Sequence, residues 1–146
     1  RWRRWDTCGL CEQAYHGVVS HALGWACWKT YLGRPETDED RLCAMHVLGN
    51  GLHDANHLED ALSVKEAQLS MLRRHGTSEQ GILAAQNNLA SSYVRLGRYE
   101  DGLSMQRDVY SGNLRLYGEE HEYTLTAASN YASSLTALKR FEEAKS

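Results

Sequence analysis

Leu83-Ala84-Ala85-Gln86-Asn87-Asn88-Leu89-Ala90-Ser91-Ser92-Tyr93-Val94-Arg95-Leu96-Gly97-Arg98-Tyr99-Glu100-Asp101-Gly102-Leu103-Ser104 returns 42 residues later as the stretch Leu125 to Ser146. Leu83, Ala85, Asn88, Ala90, Ser91, Ser92, Leu96, Arg98, Glu100 and Ser104 recur unchanged as Leu125, Ala127, Asn130, Ala132, Ser133, Ser134, Leu138, Arg140, Glu142 and Ser146. Other positions change mildly: Tyr99 becomes Phe141, Asp101 becomes Glu143 and Gly102 becomes Ala144. A period of about 20–50 residues implies stacked units, each unable to bury its apolar face alone. Such surfaces usually bind other proteins rather than perform chemistry.

A more worn copy lies 41 residues upstream, where Leu48, Leu52, Leu58, Glu59, Asp60, Ala61 and Leu62 fall opposite Leu89, Tyr93, Tyr99, Glu100, Asp101, Gly102 and Leu103. Leu72-Arg73 and Gly76 match Leu114-Arg115 and Gly118 at offset 42, and Tyr31-Leu32-Gly33 is a fainter echo of Leu116-Tyr117-Gly118. The register within a copy is helical. Leu89, Tyr93 and Leu96 form one apolar stripe with Ile82 and Gln86 beside it. Thr77 with Gln80, and Thr37 with Asp40, match capping-box spacing, so one helix starts near Ser78. Gly97 ends it, and a second helix runs from about Tyr99 to Tyr117 before Gly118. These signals predict an all-α chain of tandem antiparallel helix pairs.

Composition agrees. The chain has 146 residues, 42% hydrophobic and 24% charged, with one Pro, one Phe and a formal net charge of −3. That balance is neither disordered nor membrane-embedded, and it is too weakly charged to imply a nucleic-acid surface along the whole chain. No apolar run approaches the roughly 18 residues of a membrane span, and no signal peptide opens the sequence. The expected location is intracellular and cytoplasmic, with four reduced thiols. Starting at Arg1 and stopping as a second helix begins, the chain reads as a fragment.

Asn88-Leu89-Ala90, then Tyr93, then Leu96-Gly97-Arg98-Tyr99-Glu100 and Gly102 resemble a tetratricopeptide repeat. The common form is about 34 residues long. The 42-residue form here, with Leu-Tyr-Gly before the next unit, is similar to the repeats of kinesin light chains. The resemblance covers roughly residues 40–146 and departs from the pattern at Asn56 and Lys139, which replace the turn glycine. It implies a right-handed superhelix, an α-solenoid, whose first helices line a concave face. The organisation expected is a Trp/Cys-rich segment with a capping helix over residues 1–35, then an array of about three units over 36–146.

A groove that admits a peptide backbone must be small and polar. The residues opposite the buried stripe meet that need, and the candidates are Asn50, Asn87, Asn88, Ser91, Arg95, Ser129, Asn130 and Ser133. An Asn amide offers donors and an acceptor to a peptide unit, and Arg95 suits an acidic side chain or a C-terminal carboxylate. The competing reading is that Asn88 and Asn130 bond neighbouring repeats. No His forms a motif with a nucleophile and a carboxylate, so the expected role is a non-enzymatic adaptor for a protein or peptide partner.

All four tryptophans (Trp2, Trp5, Trp25, Trp28) lie in the first 28 residues. Val18, Ala22, Trp25, Lys29 and Leu32 fall near one helical face, with Trp28 and Tyr31 beside it, and this helix would pack on the first repeat as a cap. Cys8, Cys11, His16 and His21 have a spacing similar to a zinc knuckle, with His21 where Cys is usual and Tyr15 where Gly is usual. The alternative function is therefore a zinc-dependent nucleic-acid or protein binder centred on those four residues. Residues 8–15 also resemble the linker after a MYND-type zinc finger in some algal proteins, which would place the finger upstream. The Arg1-Trp2-Arg3-Arg4-Trp5 start could touch RNA by stacking and charge, and Cys27 and Cys43 read as small buried helix residues.

Overall fold

The computed structural model describes residues 2–5 and 7–145. Arg1 of the basic start and Ser146 of the last repeat match lie outside the described residues. A 3-10 turn at Arg3–Trp5 precedes six α-helices: α1 Gly17–Tyr31, α2 Glu39–Asp54, α3 Leu58–Arg74, α4 Glu79–Arg95, α5 Tyr99–Tyr117 and α6 Glu122–Lys145. Among the described residues the one strand-like pairing is a bridge between Thr7 and Ala14. The chain is all-α, as expected, and α5 has the bounds read from the sequence. The caps sit one residue later than the spacing suggested. Asp38 Oδ1 accepts from Arg41 N at 3.2 Å, and Ser78 Oγ accepts from Gly81 N at 3.3 Å.

Helix ends show the repeat most plainly. After α4, Gly97 takes φ +77°, and Arg98 N reaches back to Tyr93 O at 2.9 Å. Forty-one residues earlier, Asn56 takes φ +65° and His57 N reaches Leu52 O at 2.9 Å. Asparagine tolerates this left-handed conformation better than other residues bearing a Cβ, so it can stand in for glycine. Lys139 cannot do so cheaply. The turn expected there does not form, and α6 runs unbroken from Glu122 to Lys145.

The second helices correct the sequence reading in another way. Every buried residue of α5 has a buried counterpart at offset 41: Ala61 and Gly102, Lys65 and Gln106, Gln68 and Val109, Leu72 and Asn113. The match of Leu72-Arg73 with Leu114-Arg115 at offset 42 is therefore not a structural equivalence, because one residue of slip turns a side chain about 100° around a helix.

The chain divides into two units, Arg1–His75 and Gly76–Ser146. In the first, α1 packs on α2 and α2 on α3. Cys27, Tyr31 and Ala44 form one cluster with Trp2, Trp5, Trp28 and Val47 against it, and Leu48, Leu52 and Ala61 form another. The face that α1 buries is displaced from the stripe predicted, toward the side on which Trp28 and Tyr31 were placed. Gly24, Cys27 and Tyr31 are buried, whereas Val18 is 81% exposed and Trp25 and Leu32 are also open. Glycines decide this: a Cβ built on Gly51 would lie 2.5 Å from Ser20 O, and one on Gly24 would lie 3.1 Å from Leu48 Cα. Backbones that approach so closely select the face with the smallest side chains. Cys27 is buried as expected, but Cys43 is exposed.

In the second unit α5 packs against both α4 and α6. Leu83, Ala85, Leu89, Ala90, Val109 and Ala127 are its buried apolar residues. Gly102 and Gly112 sit where a Cβ would meet Val94 Cγ2 at 2.6 Å and Leu83 Cδ2 at 2.7 Å, so α5 presses closely on α4.

His46, on α2, gives the first unit a pH dependence. Its Nε2 lies 3.0 Å from Asn50 Nδ2, and an amide nitrogen has only hydrogens to offer, so this ring nitrogen is the acceptor. Burial, and then the nearby Lys65 charge, hold His46 below its ordinary 6.5. The unfolded chain therefore binds a proton that the folded chain resists. The stability this contributes is fully present above pH 6.5 and is lost as pH falls toward the depressed value. Thermal melts at descending pH should show that loss, and His46→Gln should flatten the profile.

Candidate functional site

Two of the predicted groove asparagines meet across the second unit. Asn130 Nδ2 on α6 donates to Asn87 Oδ1 on α4 at 3.1 Å, and Ser91 Oγ donates to Asn87 O at 3.3 Å. Asn87 and Asn88 line a cavity of about 370 Å³, together with Ala84, Leu83 and Gln80 of α4. Its other walls come from Glu122, Tyr123, Thr126 and Ala127 of α6 and from Asn113 of α5. Asn113 Nδ2 donates to Tyr123 O at 3.3 Å, which ties α5 to the first turn of α6.

The eight partner-binding candidates thus divide. Asn87 and Asn88 face the cavity, and Asn130 holds Asn87 in place. Ser91 braces the backbone beneath, so it supports the cavity from outside its wall. Arg95, Ser129 and Ser133 are exposed on α4 and α6 but lie outside the wall. Asn50 belongs to the first unit, on α2, where it pairs with His46.

Glu122, Tyr123 and Asn113 were missed by reading first helices from their middles. One signal was present for Asn113: it replaces Leu72, an apolar residue at the equivalent buried position. Tyr123 belongs to an aromatic group with Tyr117, its ring centroid 5.5 Å away, and His121 at 5.0 Å. A larger hollow, about 560 Å³, lies beside Gly97, Tyr99, Leu138 and Phe141. Two of the charged residues lining it are committed to each other, with Arg98 Nε donating to Asp101 Oδ2 at 2.9 Å.

The proposed zinc ligands are arranged differently. Cys8 and Cys11 flank a tight turn in which Glu12 N donates to Cys8 O and Cys8 N to Gln13 O, each at 2.9 Å. Hydrogen bonds from the backbone at Cys11 and then Leu10 hold the Cys8 thiol below its usual value, whereas burial pushes Cys27 up to about 11. His21 is engaged elsewhere: its Nε2 accepts from Trp25 Nε1 at 2.9 Å, and its ring lies 4.7 Å from His57. His16 stands at the N-terminus of α1. Among the described residues no three His, Cys, Asp or Glu side chains are grouped to hold a metal ion.

Residues 81–146 match the family model of the tetratricopeptide repeat. Over that stretch the chain carries tetratricopeptide-repeat sequence. Its fold is similar to a crystal structure of nearly identical TPR-like repeats from a candidate kinesin light chain of Podosopora anserina. The TM-score is 0.68 at 20% identity, over 86% of this chain and 59% of that one. A single-substitution variant of the same repeats gives 0.66 at 20% identity, over 87% and 59%. The chain therefore spans less than two thirds of the solved structures it matches. None of the curated proteins matches the sequence. Tetratricopeptide repeats serve in general as protein–protein interaction scaffolds, typically without enzymatic activity. Among the described residues no helix is long and apolar enough to cross a membrane.

Proposed function

We propose that the chain is an adaptor that binds a peptide segment of a partner protein, with Asn87 and Asn88 in the cavity between α4 and α6 as the central contacts. The observation that carries this reading is the cavity itself. Amide side chains from α4 and α5 line a space large enough for a peptide side chain, beside the small residues Ala84, Thr126 and Ala127 that let a backbone approach. Amide groups suit a peptide because each offers donors and an acceptor to an extended main chain. Arg95, Ser129 and Ser133, exposed on α4 and α6, would flank the bound segment. Asn50 remains a candidate for the corresponding helix of the first unit, as does the organisation into an N-terminal segment of residues 1–35 and an array over 36–146.

A peptide-display selection tests this. The chain should enrich a linear motif, and a variant with Asn87, Asn88 and Asn130 changed to alanine should lose it. That variant also removes the bond between Asn87 and Asn130, so its helicity and melting temperature must be measured in parallel. A folded variant that still enriches the parent's motif would place the binding surface elsewhere.

A further inference from the structure

The cavity lined by Asn87 and Asn88 has a chemical bias of its own. Glu122 is its one charged lining residue, and among the described residues no Lys, Arg or His contributes to its wall. Glu79, one residue before the lining Gln80, is already paired with Arg115. Glu122 has no such partner among the described residues, and Glu119 and Glu120 add two further exposed carboxylates just before it. The hydrogen-bonding capacity left over includes acceptors for a cation, beside amide N–H groups that suit the main chain of a peptide. Asn113 spends one N–H on Tyr123 O, which leaves its oxygen as an acceptor and its second N–H as a donor. Asn87 Oδ1, holding one bond from Asn130, keeps a second lone pair. Tyr123, 47% exposed, adds an aromatic ring at the rim, backed by Tyr117 and His121.

A carboxylate, amide oxygens and an aromatic ring around one space are complementary to a cation. A carboxylate takes a guanidinium or ammonium through charge-assisted hydrogen bonds. An aromatic face attracts the same groups through its quadrupole. A concave wall of one sign of charge also concentrates the field. We infer that this cavity takes a basic side chain, Arg or Lys, of a bound peptide. The inference rests on the groove reading above and assigns the chemistry of its occupant. It differs from the expectation for Arg95, which suited an acidic ligand, because Arg95 stands outside the cavity wall.

Four dye-labelled random peptide pools, each with Arg, Lys, Ala or Glu fixed at one central position, provide the test. Binding would be followed by fluorescence anisotropy with the full chain and with Glu122→Gln, Glu122→Asp and the triple asparagine variant. The Arg and Lys pools should bind more tightly than the Ala and Glu pools, less so as salt is raised, and the comparison of the two decides which cation is preferred. Glu122→Gln should weaken the basic pools about ten-fold, the change expected when one charge-assisted bond becomes neutral. Glu122→Asp, which keeps the charge, should recover most of that loss. Suppose instead that all four pools bind alike and Glu122→Gln changes nothing, while the asparagine variant loses binding. The groove would then stand and the cation assignment would be overturned. Equal binding by the asparagine variant, or none by the full chain, would overturn both.

Discussion

Gly51→Ala should destabilise the Arg1–His75 unit, although alanine is ordinarily the better helix former. Propensity alone would favour the change by about 1 kcal/mol. At this position the new methyl would sit 2.5 Å from Ser20 O, 3.0 Å from Ser20 C and 3.2 Å from His21 Cα, all atoms of the facing helix's backbone. A flexible side-chain tip could swing away, but a helix backbone moves only if α1 moves with it. Overpacking of this kind costs about 1–3 kcal/mol, occasionally more, so the net effect should be a loss. All four tryptophans lie in this unit. Their fluorescence should therefore report a lower urea midpoint, with altered emission if Trp28 is displaced from α2. An unchanged or higher midpoint would mean that α1 and α2 separate at little cost and that the close crossing is not what holds them.

Leu89→Ala should cost the second unit more. Leu89 is 2% exposed at the centre of α4, and removing a fully buried leucine side chain costs about 2–5 kcal/mol, depending on how far the site collapses. The pressure of α5 on α4 through Gly102 and Gly112 leaves little slack for collapse, which favours the upper part of that range. Hydrogen exchange of amides in α4 and α5 should accelerate, and the urea midpoint seen by circular dichroism should fall. Leu125→Ala is the control, because Leu125 is 57% exposed although its repeat partner Leu83 is 7% exposed. A comparable loss at both positions would contradict the burial pattern described above.

Most of the architecture was legible because helix ends and apolar stripes are local. The bounds of α5 and the ends at Gly97 and Gly118 needed only glycine chemistry and a period. Three features were not local. Lys139 occupies a turn position, yet whether a turn forms there depends on the cost of its backbone conformation against continuing the helix. The buried face of α1 is not local either: hydrophobicity points to Val18 and Trp25, while the close approach of two backbones selects Gly24 and Cys27. For the candidate site, Asn87 and Asn88 followed from the repeat. Glu122, Tyr123 and Asn113 did not, since the cavity joins the middle of one helix to the first turn of another and to a third.

The buried faces of α3 and α5 are equivalent in place but differ in chemistry: Lys65 stands opposite Gln106, Gln68 opposite Val109, and Leu72 opposite Asn113. Misassembly is a characteristic hazard of repeat proteins while they fold, since one unit's helix can dock where another's belongs. A buried polar group left without partners costs about 1–3 kcal/mol, and more for a charge such as lysine's. The polar residues inside the two second helices therefore set them apart, and an exchange of one for the other would carry that cost.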